Sequence, residues 1–402
     1  MIIKNVFSFR GCISNPIKTI KACPSPLGKG WDGAFRSFET NKVLIFFLLM
    51  LITVFETNAQ SRVKINPNKG IDTVLKLSTG PNNPRNSEGD FVTLKDGKIL
   101  FIYSHFTGNS GGDFGNGYLA SRFSTDNGKT WSKEDKTVVS QEGDMNVMSV
   151  SLLRLKNGSI ALFYARKNSD EDLIPMLRIS NDEAKTWSDP IPCITDRKGY
   201  FVLNNNRVIQ LNNGRLLMPV ALHNVPNGKW SNIGRLFTYY SDDNGKTWKS
   251  SEEVPNPDKV ITQEPGVVEQ EDGTIFMFIR ANPGVQYASY SKDNGETWSA
   301  AQPIRIASPL SPASIARIPS TGDLLMVWNN NGTNQKRTPL DVAVSKDEGK
   351  NWEHIKILED DPDGVFCYTA IHFTGKDVLL AYSNWKTMGT TIVRVSLEWI
   401  YK

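Results

Sequence analysis

Histidine and cysteine are scarce in this chain of 402 residues, with four of each. Two of the cysteines, Cys12 and Cys23, fall in the first 59 residues, which leaves Cys193 and Cys367 in the remainder. Two cysteines cannot form a disulfide framework, and without a Cys-x-x-Cys or Cys/His cluster no metal or other cofactor is expected. Whether the two pair is left open by their spacing. A charge imbalance is also missing. Residues 1–59 hold seven Lys/Arg and three Asp/Glu, so the rest of a chain with 46 and 42 carries 39 of each. The basic isoelectric point therefore belongs to the leader, and no nucleic-acid partner is expected. Beyond residue 59 no stretch shows a sustained helical period, and no apolar run is long enough to span a bilayer.

The one long apolar run is Val43–Phe55, preceded by Lys42 and followed by Thr57-Asn58-Ala59. Its length suits a signal-peptide core, with small residues placed for cleavage after Ala59. The sequence thus predicts a leader over 1–59 and a mature domain over 60–402. The mature domain is expected to be exported to the periplasm or outside the cell, monomeric and without a stable membrane span.

What the chain has in abundance is repetition. Ser-x-Asp-x-Gly-x-Thr-Trp occurs at Ser124–Trp131, Ser241–Trp248 and Ser291–Trp298. It recurs at Ser180–Trp187 with Ala184 for Gly, and at Ser345–Trp352 with Asn351 for Thr. Ser and Asp can bond backbone N–H groups within such a turn, and Gly permits positive φ. A calcium loop is disfavoured, because the remaining ligands are absent at the needed spacing. A second token is a turn glycine followed by an apolar strand, at Gly97, Gly158, Gly214, Gly273, Gly322 and Gly375. Six hairpins at this spacing predict an all-β fold, a six-bladed β-propeller. The segment near Asp72–Leu77 is expected to complete the last blade and close the ring.

Connectivity sorts residues onto faces. The glycine hairpins join the two innermost strands of a blade, and the Asp tokens join the two outer ones, so both kinds of turn share one face. The opposite face collects Arg85, Glu264 and Tyr368, which precede their hairpin glycines by 12, 9 and 7 residues. It also collects Arg280, seven residues past Gly273, and Asp113 and Arg337, which follow Gly97 and Gly322 by 16 and 15. Singly, each has an ordinary structural reading: a surface ion pair, a core ring, a loop cap. Together, three arginines, two acids and a tyrosine on one face suggest an anion site with titratable groups beside it.

In order and in local strings this set resembles the bacterial exo-sialidases (neuraminidases), over roughly residues 70–400. The strings are Gln263-Glu264-Pro265, Phe278-Ile279-Arg280, Arg337-Thr-Pro-Leu340 and Cys367-Tyr368-Thr369. The resemblance implies removal of terminal sialic acids from glycans with retention and without a metal. Arg85, Arg280 and Arg337 would bind the substrate carboxylate, Tyr368 would be the nucleophile, Glu264 its base and Asp113 the acid/base. Two departures stand out. The family's Arg-Ile-Pro is replaced by Arg85-Asn86-Ser87-Glu88-Gly89-Asp90, and the stretch Ser104–Gly108 lacks the arginine often found before the catalytic Asp. Glu88, Asp90 and His105 are therefore further candidates for the pocket. Two alternatives stay open: a glycosidase or lyase acting on another acidic carbohydrate, and a non-catalytic glycan-binding propeller.

Overall fold

The computed structural model describes residues 70–402, so the expected leader and its cleavage point lie outside the described residues. What is described is built almost wholly of antiparallel strands, with one short helix, Leu397–Tyr401. Six sheets follow one another along the chain. The first three are joined into one ladder by single parallel bridges, Gly117 to Asn146 and Leu173 to Tyr200. The other three are separate four-stranded sheets. In the sixth, Ile71–Leu77 is the outermost strand and pairs with Gly389–Ser396, so the N-terminal strand completes the C-terminal blade as the sequence predicts.

The second strand of each blade is apolar on both faces because a neighbouring blade covers each side. Ile160–Lys167 is buried at every position but one, and Leu324–Asn329 throughout. The core is accordingly a ring of interfaces rather than a single centre. Six apolar clusters join blades one and two, two and three, and so on around to six and one. The last of these sets Phe91 and Phe101 of blade one with Leu379 and Ala381 of blade six. A closed circuit of this kind makes the described residues a six-bladed β-propeller.

All six hairpin glycines adopt positive φ, between 71° and 95°. Cys193 and Cys367 are buried free thiols. Among the described residues no helix is long and apolar enough to cross a membrane.

Candidate active site

The innermost strands do not run regularly toward the axis. In blades one, two, four and six the register slips by one residue, between Ser87 and Asp90, Met148 and Ser151, Gln263 and Gly266, and Cys367 and Ala370. Inside these bulges Glu88, Ser149, Glu264 and Tyr368 adopt φ of 52°, 61°, 44° and 59°. Non-glycine residues rarely occupy this region, and where they do they cluster at functional sites. A bulge re-aims a side chain, and all four side chains line one cavity of about 360 Å³. Glycine makes room at two of them. A Cβ on Gly89 would lie 2.3 Å from the Phe101 ring, and one on Gly266 would lie 2.1 Å from the Phe278 ring.

Blade three differs. Its inner strand is split into Tyr200–Val202 and Ile209–Gln210, and the residues between them project to the axis. Asn205 Nδ2 donates to the Gly89 carbonyl at 2.9 Å and to the Tyr368 carbonyl at 3.1 Å, tying together the bulges of blades one and six. The buried Arg207 donates to the Ala313 carbonyl and to Ser314 Oγ, and burial lowers its pKa to about 10.

Within the cavity, Tyr368 Oη donates to Glu264 Oε1 at 3.0 Å, and Arg280 Nη1 donates to Glu264 Oε2 at 2.5 Å. Burial pushes the Glu264 pKa up, but Arg280, with help from Arg337 and the Tyr368 hydroxyl, holds the carboxyl below its usual range. Burial and the Glu264 carboxylate raise the Tyr368 phenol well above its ordinary value. Arg337 also lines the cavity, its guanidinium 5.9 Å from the centre of the Tyr368 ring. One wall therefore carries a phenol in contact with an ionised carboxylate, beside two arginines.

The blade-one side of the cavity is acidic and basic at once. Asp113 and Glu88 line it, and both pair with Arg85, at 2.5 Å and 3.2 Å. Arg85 itself is only 1% exposed and lies outside the cavity lining, packed between the Phe106 and Trp385 rings. Burial opposes ionisation of Asp113, but the Arg85 guanidinium outweighs it and holds the carboxyl below its usual range. Glu88 goes the other way. Burial raises its pKa to about 7 against the pull of Arg85.

Of the sequence-predicted residues, Asp113, Glu264, Arg280, Arg337, Tyr368 and Glu88 share the cavity lining, and Arg85 stands behind it. Asp90 and His105 do not reach it. The Asp90 carboxylate is buried on the axis, accepting from the Phe91 and Leu152 N–H groups and from Asn206 Nδ2. The His105 ring stacks on Tyr118, with Nδ1 3.3 Å from Asp135. Conversely, Lys167, His223, Trp230 and Trp385 line the cavity without having been singled out from the sequence. A signal existed for two of them. Lys167 and His223 each stand nine residues past a hairpin glycine, Gly158 and Gly214, at the end of a second strand much as Arg280 does.

Known proteins agree with this architecture. The BNR repeat-like domain family matches residues 134–380, and a BNR/Asp-box repeat matches 122–133. A sialidase of Paraclostridium sordellii is 29% identical over 224 residues, covering 48% of this chain and 52% of that protein. The chain thus spans about half the length of the curated relatives it matches. Among solved structures, a Hadza microbial sialidase superimposes with a TM-score of 0.66 at 20% identity, over 79% of this chain and 66% of the other. A protein of unknown function from Dyadobacter fermentans does so with a TM-score of 0.64 at 20% identity, over 81% and 100%. With its boxes, its blades and a family match over most of its described length, the chain belongs to the BNR repeat-like family and has the propeller fold of the sialidases.

Proposed function

We propose that this protein is an exported exo-sialidase that removes terminal α-linked sialic acids from glycans with retention of configuration, acting as a monomer. The observation that carries the reading is the 3.0 Å contact between Tyr368 Oη and Glu264 Oε1, beside Arg280 and Arg337. A sialic acid has a carboxylate on its anomeric carbon. A carboxylate nucleophile would be repelled there, whereas a neutral phenol would not, and this is why sialidases depart from the two-carboxylate scheme.

In the first step Arg280 and Arg337 hold the substrate carboxylate with charge-assisted hydrogen bonds. The Tyr368 oxygen bonds to the anomeric carbon as the bond to the leaving oxygen breaks. Glu264 takes the phenol proton, and Asp113 protonates the leaving oxygen. In the second step Asp113 takes a proton from water, which attacks the same carbon, and Tyr368 leaves with the proton returned by Glu264. Arg85 joins the clamp only by exchanging Asp113 for the substrate carboxylate. That exchange removes the counter-ion that keeps Asp113 ionised, and so readies it to act as an acid.

The test is turnover of a fluorogenic sialoside by the purified protein, run beside aryl uronides and uronic-acid polymers. Release from the sialoside with a retained anomer is expected. Activity on uronides alone would replace the reading with that of another acidic-sugar glycosidase or lyase, a possibility raised by Glu88 in the cavity wall. Glycan binding with no turnover would make the protein a binding propeller.

A further inference from the structure

Lys167 is the last residue of the strand Ile160–Lys167, and its side chain is 1% exposed at the cavity wall. Burying an ammonium is costly unless it gains a compensating contact. Among the described residues no carboxylate lies within ion-pairing distance of it. Its Nζ instead donates to the main-chain carbonyl of Asp113 at 2.7 Å, and sits 4.7 Å from the centre of the Phe114 ring and 5.3 Å from that of Tyr200. The Asp113 loop has two other buried tethers: Asn146 Nδ2, which donates to the carbonyls of Asp113 at 2.9 Å and Gly115 at 2.7 Å, and Arg85 Nη1, which donates to the Gly111 carbonyl at 3.4 Å and to Asp113 Oδ1 at 2.5 Å. Phe114 itself is 51% exposed, so packing against the fold does little to hold it.

We propose that Lys167 is a positioning residue whose ammonium fastens the loop carrying Asp113 over the cavity. The inference rests on the acid/base role given to Asp113 above. Both contacts depend on charge. A hydrogen bond from an ammonium is about twice as strong as one from a neutral donor, and the attraction to the two rings vanishes with the proton. The groups facing Lys167 are Asp113 on the loop, Glu88 and Arg85 of blade one, and Tyr200 of blade three. Burial lowers its pKa to about 8, against the pull of Asp113 and Glu88. The hold on the loop therefore loosens as pH rises through that value.

Two measurements test this. In the first, kcat and KM are followed from pH 6 to 10 with a sialoside whose leaving group needs protonation. Lys167→Met should lower kcat by about tenfold to a hundredfold, the cost of a catalytic group displaced by an ångström or so. KM should change little, and the alkaline limb near pH 8 should disappear. Lys167→Arg should recover most of kcat and move the limb out of range, because guanidinium stays charged. Unchanged kcat in Lys167→Met, or an alkaline limb that persists there, would overturn the proposal. The second measurement needs no activity. In Phe114→Trp, the added emission should titrate near pH 8, and the step should vanish when Lys167→Met is combined with it. A reporter that does not titrate, or that titrates without Lys167, also overturns the proposal. A titrating reporter in a protein that turns over no sialoside would sink the sialidase reading and leave the tether standing.

Discussion

The two faces of the propeller are built on opposite plans. On one, five box turns repeat one arrangement. The serine hydroxyl accepts from the N–H four residues on at 2.8–2.9 Å, and the aspartate accepts from the main chain and side chain of the residue before Trp. The arrangement survives where Ala184 replaces Gly and where Asn351 replaces Thr. On the other face the element shared by four blades is a backbone bulge, and the side chain it presents varies: Glu88 and Glu264, Ser149, and Tyr368. The boxes keep their side chains because those groups satisfy their own backbone. The bulges are free to vary because their side chains point into a cavity, where chemistry rather than folding selects them.

The largest expected effect lies on the bulge side. Tyr368→Phe removes one oxygen and keeps the ring, so turnover should fall by about a thousandfold or more while the melting temperature barely moves. Near-normal turnover would refute Tyr368 as nucleophile. Next comes Asp113→Asn, expected to lower kcat about a hundredfold for a poorly departing alcohol and much less for an activated aryl group, which needs little protonation. Equal losses on the two substrates would remove Asp113 from the acid role.

The faces should also answer pH in different windows. Burial raises Glu88 to about 7, so the folded state holds a proton that the unfolded chain has lost. The stability this gives is complete below the unfolded carboxylate pKa and disappears as pH rises through about 7. Box aspartates such as Asp293 are held near 2, with burial opposing and Thr297 supplying the hydrogen bonds. Their contribution is present above the unfolded pKa and is lost only as pH falls through about 2. Burial raises Asp90 to about 7 as well. In denaturant titrations from pH 5 to 8, Glu88→Gln should therefore lose part of the wild-type decline in stability, and the share from Asp90 should remain; an unchanged slope would exclude Glu88 as a source. The smallest effect belongs to Asp293→Ala, which removes bonds to Thr297 and Ser291 at an exposed turn. A loss of about 1 kcal/mol is expected with kcat intact. A large fall in kcat would mean that the two faces are coupled.

Much of this was legible because it is local. Each hairpin glycine marks a turn that needs positive φ, and counting residues from it places a strand end on one face or the other. That count brought Glu264, Arg280 and Tyr368 together, and applied to Gly158 and Gly214 it would have added Lys167 and His223. Asp90 and His105, offered by the departures from the family's strings and not by that count, do not reach the cavity. The bulge at Glu88 interrupts the alternation of its strand, so that Glu88 faces the cavity while Asp90 is buried on the axis. His105, in the next strand, faces Tyr118 and Asp135 instead.

The sequence by itself determined the repeat, the number of blades, their turns and the strand that closes the ring. Each of these follows from hydrogen bonds and apolar alternation within a few residues. Only the tertiary structure decided that Arg85 lies behind the cavity wall between Asp113 and Glu88, that Asn205 ties two distant bulges, and that Lys167 meets the Asp113 loop. The Asn205 and Lys167 contacts join residues of different blades, at distances fixed by how six sheets pack around an axis, and the Arg85 contacts depend on how a loop of blade one folds back over its inner strand.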